Sequence, residues 1–189
     1  AGEDTCEADE GVDPVAESSE IVNAYMRGSC SKLNNRYLET EVGEPFIRIG
    51  YAEQQFILAE AVLRKWITGE GAEAYYRSGI RAAMEFTAAN TPVKYRHGVK
   101  IDDAYIASYL EGPQVKFGAS AAENLNRIYK QKYMLYFLQH EWDAFFECRR
   151  TGVPELPVNP STNMNTDPSK MPVRWMYPQT EYDRNRSEE

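Results

Sequence analysis

The stretch of residues 120–152 carries the longest apolar pattern of this 189-residue sequence. Its apolar side chains recur at spacings of three and four residues, which gathers them on one face of an α-helix. Ser120 and Glu123 match a capping box at the start, and Gly152, which follows two basic residues and a threonine, fits a helix end. We therefore predict one continuous helix over this stretch, which we call the spine, and we expect the rest of the fold to pack against it.

A pair of helices is predicted before the spine. An apolar pattern of helical period starts at Tyr51, continues to Ile67 and stops at the glycines of residues 68–71. A second pattern covers residues 72–89, and the pair has about the length of a tetratricopeptide unit, roughly 34 residues. One hairpin cannot bury both of its faces, so we expect it to stack on the spine. A shorter helix is predicted at residues 102–111, capped by its own aspartates.

Large apolar side chains at helical positions are usually core. On this ground we expect Trp66, Trp142, Phe145 and Phe146 to be buried, and we expect Cys148 to be a small buried apolar residue. The other two cysteines, at positions 6 and 30, form a disulfide if they meet in an oxidising compartment, which the sequence does not decide.

The acidic residues are concentrated at the beginning of the chain. Residues 1–20 contain eight Asp and Glu side chains and no Lys or Arg, and the 21 other acidic residues equal the 21 basic ones. The near-neutral body argues against a nucleic-acid partner, which would need a basic face. The carboxylates of residues 1–20 lack the spacing of a calcium loop, so we expect a poorly ordered acidic leader or loop there and a helical domain over residues 21–189.

The sequence contains no recognisable catalytic constellation. It has two histidines, and one of them, His140, is about two helical turns from Cys148 along the spine, beyond reach of the thiol. Asp143 and Glu147 share a helix face, but Arg149 and Arg150 follow, so a structural ion-pair network is favoured over an acid/base pair. No phosphate-binding glycine loop or metal-ligand motif is present. We therefore predict no enzymatic activity, no cofactor and no metal site.

Three separated segments carry a family resemblance. They read Y-A-E-Q-Q-F-I-L-A-E-A from Tyr51, W-D-x-F-F-x-x-R-R-T-G-x-P from Trp142 and R-x-x-Y-P-x-x-E-x-x-x-N from Arg174. In this order and spacing they resemble the C-terminal part of the SusD/RagB family of surface nutrient-binding lipoproteins. The resemblance covers about 70% of the chain, from Tyr51 to Asn185.

The resemblance implies a mainly α fold, in which tetratricopeptide-like helix pairs support long irregular loops that face the ligand. It implies non-catalytic capture of oligosaccharides, or of peptides in some members, at the cell surface and delivery to a SusC-like TonB-dependent outer-membrane transporter. The lipidated cysteine and the N-terminal half of the family have no counterpart here. We therefore expect the chain to be the C-terminal portion of a longer or processed protein, with the missing N-terminal part as a partner and the lipid anchor outside this chain.

Ligand contacts are expected on loops held by this scaffold. A sugar offers a flat C–H face to an aromatic ring and hydroxyls to polar groups, so aromatic residues with polar neighbours in irregular segments are the candidates. These are Tyr25, Arg27, Arg36, Tyr37, Tyr95 and His97. The alternative is that these tyrosines cover the edge of the core. At the level of function, the alternatives are a helical-repeat scaffold that binds a partner protein without a nutrient ligand, and a glycan-degrading enzyme.

Overall fold

The structure is a computed structural model that describes residues 23, 26–28, 33–140, 142–160, 163–171 and 177–184. The chain divides into two compact units, Lys32–Glu155 and a second unit formed by Ala1–Ser31 with Leu156–Glu189. Every regular element of the described residues is a helix, so the predicted mainly α fold is confirmed. None of the described helices is long and apolar enough to cross a membrane. The predicted acidic leader, Cys6 and Cys30 lie outside the described residues.

The first unit holds most of the described helices. They are α1 (Arg36–Glu39), α2 (Tyr51–Leu63), α3 (Ala72–Asn90), a 3-10 turn (Val93–Tyr95), α4 (Asp103–Leu110), α5 (Ala121–Leu135) and α6 (Asp143–Thr151). The second unit holds α7 (Gln179–Arg184). The predicted helix at residues 102–111 is confirmed as α4, and the Asp102 carboxylate caps it by accepting the Tyr105 N–H at 3.0 Å.

The core of the first unit lies between α2, α3 and α5. Phe56 of α2, Tyr76 of α3 and Ile128 of α5 are almost completely buried in one apolar cluster. Gly79 lets α2 and α3 approach closely, because a Cβ at this position would lie only 2.6 Å from the Phe56 ring. The prediction that the α2–α3 hairpin packs on the helix that begins after Ser120 is therefore confirmed.

Helix α2 ends earlier than its glycines suggested. Lys65 adopts a left-handed conformation with φ of 60°. Its N–H donates to the Val62 carbonyl at 3.0 Å, and the Trp66 N–H donates to the Ala61 carbonyl at 2.9 Å. These two bonds are the Schellman arrangement, formed here with a lysine where glycine is usual. Trp66 therefore follows the helix and is 67% exposed, so the prediction that it is core was wrong.

The predicted spine is two helices rather than one. Its ends are confirmed: Ser120 Oγ accepts the Glu123 N–H at 3.3 Å, and Gly152 has the left-handed φ of 73°. Between them α5 stops at Leu135, and α6 starts only at Asp143. Leu138, with φ of 56°, turns the chain between the two helices.

Contacts of Gln139 hold this break. Its side-chain oxygen accepts the Ile47 N–H at 2.9 Å, and its amide donates to Glu44 Oε1 at 2.7 Å and to the Pro45 carbonyl at 3.2 Å. The helix is interrupted here, and the side chain of Gln139 is bound to a segment more than 90 residues away in sequence. The apolar pattern of the sequence continues across the break, whereas the helix does not.

The break also changes which side chains are buried. Trp142 and Phe146 are 48% and 49% exposed, so the prediction that both are core was wrong, and Phe145 is only partly buried. The reason is that the helix is interrupted between Leu135 and Asp143, so spacing counted from α5 no longer identifies the buried face of α6. Cys148 is buried, as predicted, and it forms no disulfide; its burial raises the pKa of its thiol.

Candidate functional site

A cavity of about 380 Å³ opens at the C-terminal end of α3, and we call it the polar cavity. It is lined by Asn34, Arg36, Tyr37, Thr87, Ala88, Thr91, Tyr95, Arg96, His97, Val99, Lys100 and Ile101. Four of the six ligand candidates from the sequence therefore come together here. Of the other two, Tyr25 lies outside the described residues, and Arg27 is an exposed residue of the second unit.

Arg36 is a buried part of the cavity wall. Helix α1 places its guanidinium beneath the end of α3, where Nη1 donates to the Asn90 carbonyl at 3.1 Å and to Thr91 Oγ1 at 3.0 Å. Nη2 donates to Glu44 Oε2 at 2.6 Å and also to the Tyr37 hydroxyl. These bonds satisfy a carbonyl that the helix end leaves free. Arg36 thus joins α1, α3 and the segment after α1, and its two terminal nitrogens are committed to the protein.

Tyr95 also belongs to the wall. It is 4% exposed, and its hydroxyl donates to Glu39 Oε2 at 3.0 Å. The Asn34 side chain donates to the Tyr95 carbonyl at 2.9 Å, which ties the 3-10 turn to the segment before α1. The sequence suggested a loop aromatic open to a ligand, whereas the structure buries this ring at the edge of the core.

Tyr37 is more accessible and stands where two cavities meet. Its ring is half-buried, with the Arg36 guanidinium 4.4 Å from its centroid on one side and Phe137 edge-on at 6.3 Å. Burial and the nearby Glu44 carboxylate raise the pKa of its hydroxyl. Gly43 makes room for the ring, since a Cβ there would lie 2.6 Å from Tyr37 Cδ1.

The second cavity, which we call the apolar cavity, has a volume of about 350 Å³ and shares Arg36, Tyr37, Thr87 and Ile101 with the polar one. Its lining comes mainly from α3, α4 and α5 and includes Phe56, Ile80, Met84, Phe86, Tyr105, Tyr109, Met134 and Phe137. The two adjoining cavities are lined by different residue types: charged and polar residues are more frequent in one, and rings and aliphatic chains in the other, although the surface open to a ligand is mainly apolar in both. This combination suits an amphipathic ligand such as a sugar.

Sequence reasoning missed the exposed basic residues of the polar cavity. Arg96 donates from Nε to the Thr91 carbonyl at 2.8 Å and from Nη2 to the Ala88 carbonyl at 3.3 Å. Lys100 is exposed and lies 3.1 Å from Asp102. His97 and Gly98 both have left-handed backbones, with φ of 47° and 76°, which turn the loop beside Arg96. The signal in the sequence was the basic cluster of residues 94–100, from which the candidate list had taken only Tyr95 and His97.

A separate polar cluster, which we call the ion network, joins α2, α5 and α6. Glu60 accepts hydrogen bonds from Arg150 at 2.7 and 2.8 Å, from Arg64 at 2.8 Å and from the Tyr129 hydroxyl at 3.0 Å. Glu147 extends the network by pairing with Arg150 and with the buried Lys132 at 2.5 Å. The expected structural ion pairing of Glu147 and Arg150 is thus confirmed, whereas Asp143 pairs with His140 instead.

The ion network holds its carboxylates in the charged form. Burial disfavours ionisation of Glu60, but the hydrogen bonds from Arg150, Arg64 and Tyr129 outweigh it and lower its pKa to about 2. For Glu147, burial is likewise outweighed by Arg150 and Lys132, and its pKa is lowered. A proton donor at neutral pH needs the opposite shift. Glu60 and Glu147 therefore serve as ionised anchors between helices and are unsuited to general-acid chemistry.

Comparison with known proteins gives a consistent result. Residues 10–178 match the sequence model of a SusD-like family described as starch-binding and associating with the outer membrane. Among solved structures, a SusD homologue of Bacteroides fragilis is 46% identical with a TM-score of 0.81, over 94% of this chain and 38% of its own. A second B. fragilis SusD homologue is 38% identical with a TM-score of 0.75, over 94% and 37%. No protein with a curated description matches.

A third solved structure, from Bacteroides vulgatus, is described as a candidate outer-membrane protein for nutrient binding. It is 37% identical to this chain with a TM-score of 0.78, over 94% of this chain and 37% of its own. The chain thus spans somewhat more than a third of the length of each of these three structures.

Proposed function

This chain belongs to the SusD-like family, and we propose that it forms part of a protein that captures nutrient oligosaccharides at the outer membrane without cleaving them. The family match over residues 10–178 carries the proposal, because the family is described as starch-binding and associating with the outer membrane. The polar and apolar cavities support it, because they offer a ligand both polar groups and rings in the first unit of the chain.

Within the polar cavity, we propose that Tyr37 and His97 contact the ligand directly, while Arg36 and Tyr95 shape the wall. Tyr37 is partly accessible and can stack on the C–H face of a sugar ring, and His97 is exposed at the rim. Arg36 and Tyr95 are buried and already bonded to protein groups, so they act by keeping the cavity open.

Isothermal titration calorimetry tests the capture of nutrients. The probes are maltohexaose, acidic and neutral plant oligosaccharides and short peptides, each titrated into the folded chain, with release of reducing ends measured in parallel. We expect binding without release of reducing ends, and we expect Tyr37→Ala to weaken binding about tenfold with an unchanged melting temperature. Folded protein that binds none of these probes, or that cleaves one of them, contradicts the proposal.

The remaining part of the proposal concerns location and partner. We propose that a lipid anchor in a segment outside this chain holds the protein on the cell surface, where it covers a SusC-like TonB-dependent transporter. The support is the family description of outer-membrane association, together with solved relatives more than twice as long as this chain. Cross-linking in the source cells checks it: we expect the protein to be recovered with a large outer-membrane β-barrel, and recovery with a cytosolic partner instead contradicts the proposal.

A further inference from the structure

We propose that the polar cavity binds a carboxylate of the nutrient, so that the captured ligand is anionic rather than a neutral glucan. This inference rests on the proposed capture function and adds the chemical class of the ligand. It depends on the charges that line the cavity, on the unused edge of the Arg96 guanidinium and on the adjoining Tyr37 ring.

The lining of the polar cavity is positively charged. It contains Arg36, Arg96 and Lys100, together with His97, and no Asp or Glu. The carboxylate partners of two of these cations, Glu44 for Arg36 and Asp102 for Lys100, lie outside the lining. A ligand in the cavity therefore meets positively charged donors at its surface, while Glu44 and Asp102 lie behind two of them and offset part of their charge.

Arg96 supplies the geometry. Its Nε and Nη2 atoms, which form one edge of the guanidinium, donate to the Thr91 and Ala88 carbonyls. The other edge, formed by Nη1 and the second hydrogen of Nη2, has no partner among the described residues, and the residue is exposed. Two parallel N–H groups of this kind match the two oxygens of a carboxylate, which gives a bidentate, charge-assisted contact. The bonds to α3 hold this free edge in place before a ligand arrives.

The end of helix α3 reduces this positive charge without cancelling it. A helix C-terminus carries roughly half a negative elementary charge. Here the carbonyls of Ala88, Asn90 and Thr91 already accept hydrogen bonds from Arg36 and Arg96. One full charge on Arg96, which has no carboxylate partner among the described residues, exceeds that half charge. Lys100 also lines the cavity and is 81% exposed, but Asp102 at 3.1 Å offsets much of its charge. The cavity therefore retains a net attraction for anions.

Two kinds of nutrient present such a carboxylate. One is an oligosaccharide with uronic acid residues, whose rings would stack on Tyr37 next to the anchored group. The other is a peptide with a free C-terminus, whose side chains would enter the apolar cavity. The anchoring chemistry is the same for both, and the probes below separate them.

Calorimetry with matched probes tests the inference. The probes are hexagalacturonate and its methyl ester, maltohexaose, and one apolar pentapeptide prepared with a free and with an amidated C-terminus. We expect at least one acid form to bind about tenfold tighter than its neutral counterpart, and to weaken when NaCl is raised from about 50 to about 500 mM. The pair that shows this difference identifies the source of the carboxylate.

Variants locate the contact in the cavity. We expect Arg96→Gln to weaken the acid probe about tenfold or more and Arg96→Lys to recover only part of this, because lysine lacks the fork. Lys100→Gln, at a position 81% exposed, should weaken it about threefold. Lys130→Gln, on the exposed surface of α5, removes the same charge elsewhere and should change nothing. A lowered melting temperature identifies any loss of affinity that comes from a loosened end of α3. If Arg96→Gln shows such a decrease, the affinity of Lys100→Gln decides whether the cavity binds the acid probe.

The outcomes are distinct. Binding of maltohexaose that equals or exceeds binding of every acid probe overturns the anionic ligand and leaves nutrient capture standing. Acid binding that survives both Arg96→Gln and Lys100→Gln overturns the polar cavity as its site. If folded protein binds none of the probes, the capture function itself is contradicted.

Discussion

The ion network and the polar cavity are both rich in arginine, and they differ in what the arginines contact. In the ion network, Arg150 and Arg64 converge on the carboxylate of Glu60. In the polar cavity, Arg96 donates to the carbonyls at the end of α3, and one edge of its guanidinium has no partner within the part of the chain that the structure describes. The difference teaches that an arginine can be paired within the protein or left available to a ligand, and that the presence or absence of a carboxylate partner distinguishes the two cases. Arg36 lies in the cavity wall, yet its pairing with Glu44 resembles the ion network.

The largest effect that can break this comparison is expected at Arg36. Arg36→Ala leaves the buried Glu44 carboxylate without its cation and frees the Asn90 carbonyl at the end of α3. Loss of one partner of a buried ion pair costs about 3 to 5 kcal/mol. We expect urea unfolding to show a loss of this size. Arg77→Ala serves as control: its side chain is 38% exposed, its partners Glu73 and Glu111 are exposed, and the change should cost about 0.5 kcal/mol.

A different result would identify Arg36 as a ligand-binding residue. If Arg36→Ala unfolds like the unmutated chain but loses the bound oligosaccharide, the guanidinium is a ligand group, as the sequence suggested. If Arg36→Ala loses both stability and binding, Arg36→Lys separates the two effects, because it keeps the positive charge but shortens the reach to Asn90. Its stability should be intermediate.

The ion network is expected to give the next largest effect. Glu60→Gln keeps the shape of the side chain but removes the negative charge that Arg64 and Arg150 share, so that Arg150 keeps only Glu147. Arg150 is 42% exposed, so water partly solvates it, and we expect a cost of about 2 to 3 kcal/mol in urea unfolding. Ligand affinity should stay unchanged, and the exposed Glu73→Gln is the matched control. An affinity that falls with Glu60→Gln would show that the network is coupled to the site.

The pH dependence of stability sharpens the same contrast. Glu60 has an ordinary pKa of 4.5 in the unfolded chain and a lowered pKa of about 2 in the fold. Its contribution is therefore complete above about pH 4.5 and is lost as the pH falls towards 2. We expect the free energy of unfolding to fall more steeply over this range in the unmutated chain than in Glu60→Gln. Parallel curves for the two proteins would mean that Glu60 keeps an ordinary pKa.

The helical fold was largely predictable because its signals are local. The starts of α2 and α3 follow from apolar periodicity, and the start of α5 follows from the Ser120 cap, which was located correctly. The break after Leu135 was not predictable, because it depends on Gln139 binding residues 44–47, more than 90 positions away. The end of α2 was missed because Lys65 takes a conformation in which glycine is expected.

The candidate site was predicted only in outline. The rule of choosing polar and aromatic residues in irregular segments selected Arg36, Tyr37, Tyr95 and His97. These residues line one cavity, which their positions in the sequence did not indicate. Burial was not predictable, since Arg36 and Tyr95 are enclosed by partners from α3 and α1. Arg96 was overlooked because the sequence does not show which cations pair with a carboxylate. What distinguishes Arg96 is that it has no carboxylate partner among the described residues.

The smallest effect we predict concerns Tyr95, where the wall and the ligand surface are hardest to separate. Tyr95→Phe keeps the buried ring and removes only the hydroxyl that donates to Glu39 at 3.0 Å. Glu39 keeps Asn35 at 3.0 Å and Lys94 at 3.7 Å, so we expect a cost of about 1 kcal/mol in urea unfolding and unchanged ligand affinity. If calorimetry instead shows a clear loss of affinity while unfolding is unaffected, the hydroxyl faces the ligand. Tyr95 would then belong with the residues that contact the ligand, and not with Arg36 in the buried wall of the cavity.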